Sequence, residues 1–148
     1  MLSLTRFIRL FQFSSDSRLP PLALVLHAKH GNCIGPHASY DYHVLGGPTS
    51  SRAFSIGELG PARCYIETAA ELRLPLPVLN TQAYAYAENA RDLGSVADLK
   101  GRPREYLGRI GHGTSLGVGV KLGIMRAEVA RDCNKRSSTW FIFFGERF

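Results

Sequence analysis

Apolar and polar residues alternate one by one through most of the chain. In "ARCYIETAAELRL", Arg63, Tyr65, Glu67, Ala69, Glu71 and Arg73 interleave with Ala62, Cys64, Ile66, Thr68, Ala70, Leu72 and Leu74, so that every charge falls on one side. Successive side chains of a pleated strand point to opposite faces, and a period of two therefore predicts a strand. "GTSLGVGVKL" sets Leu116, Val118, Val120 and Leu122 against Ser115, Lys121 and glycines, and "IMRAEVAR" sets Met125, Ala127 and Val129 against Arg126, Glu128 and Ala130. "PLALVLHAKH", "VLNTQAYAYAE" and the aromatic "STWFIFFGERF" follow the same rule. "LTRFIRLFQF" reads as one more strand. The surrounding residues 1–18 also fit a targeting segment, because Arg6, Arg9 and Arg18 stand with several serines and one acid, Asp16. Both readings stand for that stretch: truncated strand or targeting segment.

The connections sort by length. "PLP" joins two strands and Gly123 another two, whereas residues 31–61 and "NARDLGSVADLKGRPREYLGRIGH" are long. Short turns at one end and long loops at the other are how membrane β-barrels are built. A soluble sheet needs a second layer over its apolar face, and no segment with helical period offers one. In a barrel the apolar face meets lipid, the charged face lines a lumen, and neighbouring strands satisfy every backbone group.

Composition narrows the classes further. The chain has 148 residues, 45% apolar and 20% charged, which suits one domain. No run approaches the roughly 18 apolar residues of a membrane helix, whereas a membrane strand needs only about 9–11. The net charge of +6 is spread along the chain, as on a solvated or lumen-facing surface, and predicts no nucleic-acid partner. Cys33, Cys64 and Cys133 form no C-x-x-C pair, and His27/His30 is the only loose pair of metal-ligand type, so neither a metal nor a cofactor is expected. "RIGHGTSLGVG" lacks the spacing of a phosphate loop, and His112 and Ser115 have no acid nearby in sequence. Glu67 and Glu71, four residues apart on one strand face, stand about 13 Å apart, too far for a glycosidase pair. No enzymatic activity is expected.

Several motifs then carry a family resemblance. "GGPTSSRAFSIGELGPAR" resembles the signature of the BamA-type outer-membrane assembly (bacterial surface antigen) superfamily, whose glycine-rich loop bears Val-Arg-Gly-Phe/Tyr; here the tetrapeptide is Ser51-Arg52-Ala53-Phe54. "YAYAENARDLGS" is similar to the family's aromatic-x-Asp-x-Gly strand end, with Glu88 at the acidic position and Ala90 at the glycine. "GTSLGVGVKLGIMRAEVA" resembles the penultimate hairpin, and "FFGERF" the closing strand of chloroplast outer-envelope members that lack POTRA domains. The motifs occur in order from about Leu19.

The resemblance implies an all-β fold: an antiparallel transmembrane β-barrel fragment of about seven strands, two before the arginine-bearing loop of residues 31–61 and five after it. Residues 1–148 would then be the C-terminal part of a barrel whose first half is missing. It implies that the loop turns into the lumen, where Arg52 and Phe54 lock against Glu88, with Glu67 or Glu71 as substitutes. A mobile, solvated loop is the alternative. Phe144, Gly145 and Phe148 would form the C-terminal barrel signal. The implied role is polypeptide insertion or translocation across the plastid (chloroplast) outer membrane, with membrane lipid and client polypeptides as partners. A truncated fragment without transport activity, or self-association of half-barrels, is the competing expectation.

Overall fold

The computed structural model describes residues 1–12, 20–35, 42–77, 81–94 and 111–145. Its strands are β1 (Leu2–Phe11), β2 (Leu22–Asn32), β3 (His43–Leu45), β4 (Gly60–Ala62), β5 (Cys64–Leu76), β6 (Thr81–Asp92), β7 (His112–Leu122), β8 (Met125–Asp132) and β9 (Ser138–Phe144). Seven of them form one sheet in the order β1-β2-β5-β6-β7-β8-β9, every pairing antiparallel. The strands read from alternation are all present, with ends shifted by a few residues. Among the described residues no helix is long and apolar enough to cross a membrane, which says nothing of crossing by strands.

One segment differs from the sequence reading. The segment read as an irregular loop, residues 31–61, begins while β2 is still running and contains β3, whose His43–Leu45 pairs with Gly60–Ala62 of β4. Three-residue strands escape a periodicity search because they hold barely one full alternation. Residue Leu2 pairs with His30 and the pairing continues to Ile8 with Leu24, so the N-terminal strand lies along β2 before a register shift between Arg9 and Phe11. Residues 13–19, Asn80, the stretch 95–110 and Phe148 lie outside the described residues.

Register carries the alternation across the sheet. Glu71 is opposite Tyr86, Tyr86 is opposite Gly117, and Gly117 is opposite Ala130, which places all four positions on one face. That inner face is covered by the loop between β2 and β5: Tyr65, Glu67, Glu71, Tyr84, Tyr86, Glu88, Ser115, Arg126 and Glu128 are all buried. The outer face exposes Leu72, Leu74, Leu116, Val120, Val129, Trp140 and Ile142. The β7–β8 hairpin closes through Gly123 and Ile124 between the paired Leu122 and Met125. Gly123 has φ +59°, a left-handed first turn position that glycine adopts freely.

Val118 is 60% exposed at the middle of this outer band. In a bilayer, Val118→Lys is expected to cost about 2–4 kcal/mol, the penalty for a cation near the midplane. The folded fraction recovered in liposomes should fall accordingly, while Thr114→Lys near the long-loop end of the same face should change it little.

Candidate functional site

The loop enters the inner face as a pinched lobe. The β3–β4 ribbon closes its base, with Leu45 opposite Gly60 and the Leu59 amide donating to the Leu45 carbonyl at 3.3 Å. The chain then turns at Gly46, where φ is +98° and an added Cβ would stand 2.7 Å from the Ser55 carbonyl oxygen. A side chain there is excluded both by conformation and by space. Tight turns follow: the Ser50 amide donates to Gly47 and the Phe54 amide to Ser51. They deliver Ser50, Ser51, Arg52 and Phe54 into the sheet, all buried.

Arg52 is only 2% exposed and meets three carboxylates. Its Nε donates to Glu88 Oε1 at 2.7 Å and its backbone amide to Glu88 Oε2 at 3.1 Å, so one glutamate holds both the side chain and the loop backbone. Its Nη1 donates to both oxygens of Glu128, at 2.9 and 2.8 Å. Its Nη2 reaches Glu71 Oε2 at 3.4 Å. The guanidinium stands over the Tyr86 ring, with Cζ 3.3 Å from the centroid. A planar fork of donors above an aromatic face is an arrangement for arginine rather than lysine. Burial disfavours the charged form of Arg52, but Glu88 and then Glu128 outweigh it and hold the group protonated above its ordinary value.

Hydroxyls extend the network. Ser115 donates to Glu88 Oε2 at 3.1 Å, Ser51 donates to Ser115, and Tyr84 donates to Glu128. Buried carboxylates thus have partners for several of their lone pairs, a condition for ions to persist away from water. Ser115 is committed to this structural bond, and His112 points to the opposite face, three residues away on β7. The two do not form a catalytic pair.

Glu67 has a different part from the one expected. It accepts from Ser50 and lies 3.3 Å from Lys29 Nζ and 3.4 Å from His43 Nε2, forming a second anchor under the β3 end of the lobe. The register explains why: Glu67 is opposite Ala90, one inner-face position nearer the long-loop end than Glu88, and so meets Ser50 rather than Arg52. Phe54 packs over Gly113, where an added Cβ would lie 2.5 Å from its ring. At the other end, Phe144 is exposed opposite Met125 on the edge strand, and the Gly145 amide donates to the Ile124 carbonyl at 2.8 Å.

Sequence reasoning missed Glu128 as an Arg52 ligand, and it missed Tyr86, Ser51 and Ser115. The signal for Glu128 was its place on the polar side of β8. The signal for Tyr86 was that it stands two residues before Glu88, on the same face. Among the described residues no group of three His, Cys, Asp or Glu side chains is placed to hold a metal ion.

A third contact holds the tip of the lobe. Glu58 accepts from the Lys135 ammonium in the β8–β9 turn and from the Ser55 amide at 2.7 Å. Partial burial pushes the Glu58 carboxyl up, and the bonds from Lys135 and Ser55 more than reverse this, leaving it below its ordinary 4.5. A carboxyl depressed in the folded state stabilises that state above its unfolded pKa and ceases to do so as pH falls through the folded value. The tip is therefore expected to stay docked at neutral pH and to loosen below about pH 4.5. Hydrogen exchange at residues 55–59 should rise over that range in the native chain and be nearly pH-independent, after correction for intrinsic rates, in Glu58→Gln.

A polar inner wall, an apolar outer band and a loop pinned inside by a buried arginine define the wall of an outer-membrane β-barrel. The match to the Omp85 superfamily domain extends over residues 5–146, and the chain belongs to that superfamily. It is 49% identical to protein TOC75-4, chloroplastic, of Arabidopsis thaliana and 47% identical to protein TOC75, chloroplastic, of Oryza sativa subsp. japonica, each across 99% of this chain. A more distant relative is outer envelope protein 39, chloroplastic, of Arabidopsis thaliana, at 27% identity over 88% of the chain. The chain spans 37% of the length of TOC75-4 and 18% of that of the rice protein. These matches agree with the family read from the motifs.

Proposed function

We propose that this chain forms the arginine-gated wall of a plastid outer-envelope β-barrel that takes part in polypeptide insertion or translocation across that membrane. The observation that carries the reading is the buried Arg52 bound to Glu88, Glu128 and Glu71, because it fastens a lobe of the chain against the lumenal face, where a passing polypeptide would have to displace it. Likeness to proteins named as chloroplastic, one of them an outer envelope protein, supports the compartment. Membrane lipid then covers the outer face and client polypeptides meet the inner one.

The test is site-specific photocrosslinking in isolated plastids, with the reactive group placed at Gln82 on the inner face or at Val118 on the outer face. Adducts to an arrested client polypeptide from position 82 and to lipid from position 118 are expected. Adducts to lipid from both positions, with no client, would refute the reading.

The open edges of β1 and β9, each paired on one side only among the described residues, favour a second reading: a half-barrel that closes by associating with a second copy and carries no client. Adducts between copies across β1 and β9, with none to clients, would select it.

A further inference from the structure

Charge divides between the two faces of the sheet. Within the described strands the acids are Glu67, Glu71, Glu88, Asp92, Glu128 and Asp132, and alternation with register puts all of them on the inner face. The outer face carries cations instead: Arg6 on the edge strand β1, Arg91 on β6 and Arg131 on β8, all exposed. The last two belong to a repeated tripeptide. Ala90-Arg91-Asp92 closes β6 and Ala130-Arg131-Asp132 closes β8, each with its alanine buried and its arginine turned out. Between them runs β7, where His112 is opposite Arg91 and Thr114 is opposite Asn89. Asn89 Nδ2 donates to the Thr114 hydroxyl at 2.9 Å. The long-loop end of the outer face is thus a basic, hydrogen-bonding rim.

Next to the rim the apolar surface is indented. Leu116, opposite both Ala87 and Arg131, is the first apolar outer position of β7, and Val118 is the next. From Val118 a groove of about 710 Å³ crosses the outer face, lined by Leu72, Ala85, Ala127, Val129 and Trp140 among others. Groove and rim therefore adjoin on β7. An apolar channel that opens onto paired arginines, on a face without acids among the described strands, is complementary to one class of molecule. That molecule has a long hydrocarbon tail and an anionic head.

We infer that the outer face over β6–β8 holds an anionic glycerophospholipid, with its headgroup at the rim between Arg91 and Arg131 and an acyl chain in the groove. Arginine suits the head, because its planar fork makes two parallel bonds to phosphate. His112 and Thr114 add hydrogen-bonding groups beside it. Basic side chains at the membrane surface favour acidic lipids, and a zwitterionic lipid gains less because it brings its own cation. The inference rests on the proposed placement of the outer face against lipid. It does not depend on a client polypeptide passing the inner face.

Trp140 is the chain's one tryptophan and lines the groove, so its fluorescence reports the occupant. The full chain is reconstituted in vesicles of phosphatidylglycerol and phosphatidylcholine, with bromine on the acyl chains of one lipid or the other. Quenching of Trp140 then gives the relative affinity of the groove for each lipid. Phosphatidylglycerol is expected to be preferred about tenfold, falling to about threefold in Arg91→Gln or Arg131→Gln and vanishing when the two are combined. Arg91→Lys, which keeps the charge, should retain most of the preference. Equal quenching by the two lipids, or a preference that survives the double substitution, overturns the headgroup site and leaves the outer face in lipid. Quenching by neither lipid, the result expected if a second copy covered the groove, overturns both. Should one glutamine variant fail to insert, the other carries the test, because the two arginines lie on different strands.

Discussion

Replacing Arg52 by alanine is expected to release the lobe between β3 and β4 from the inner face. Three carboxylates would lose their shared cation while still buried, and Glu88 would lose its side-chain partner in the loop. Removing one member of a buried ion pair typically costs about 3–5 kcal/mol, because the remaining charge has no compensation. The cost here should reach at least that range, since Arg52 serves several acids. Phe54, now buried, would become accessible. Chymotrypsin should then cleave after Phe54 in R52A at a concentration that leaves the native chain intact. Neutralising Glu88 and Glu128 in the same chain (E88Q with E128Q) should recover part of the stability. If the loss came only from missing arginine contacts, those additions would make matters worse. Arg52→Lys should fall between, since a single ammonium serves fewer oxygens than the guanidinium fork and stacks less well on Tyr86.

Gly117→Ala is expected to be nearly as damaging, although it adds a single methyl group. A Cβ at that position would lie 2.3 Å from the ring of Tyr86, and the same ring carries the Arg52 guanidinium at 3.3 Å. Something must shift. Overpacking a filled site costs about 1–3 kcal/mol, and in this case the displaced ring also tilts the surface on which Arg52 rests. Thermal unfolding should therefore show a loss in G117A, and loop proteolysis should rise with it. Val118→Ala, one residue along on the outer face, should leave the loop protected. Tyr86→Leu shortens the side chain that stands over Gly117, so G117A combined with Y86L should cost less than the two changes taken separately. Strict additivity would show that the glycine is not a seat for the tyrosine.

Much of the fold was legible because alternation and pairing obey one geometric rule. Glu67, Glu71, Tyr84, Tyr86, Glu88, Ser115 and Glu128 could be assigned to one face from parity alone, and register then carries that face across the sheet. Parity is silent on height along the strand. It offered Glu67 and Glu71 as equivalent stand-ins for Glu88, whereas Glu71 faces Arg52 and Glu67 faces Ser50, His43 and Lys29. Nor does parity reveal the short β3–β4 ribbon, which exists because the lobe between its strands is packed down on the sheet.

The amino-acid sequence by itself determined which residues form strands, which side of each strand is polar and which loop bears the arginine, because these depend on neighbours one or two positions away. Only the tertiary structure decided which acids Arg52 meets, that Tyr86 lies beneath it, and that Gly117 and Gly119 make room for tyrosines from the adjacent strand. Those outcomes depend on where a loop of about thirty residues comes to rest on a wall built from strands distant in sequence, and its resting place is fixed by packing and charge compensation in three dimensions.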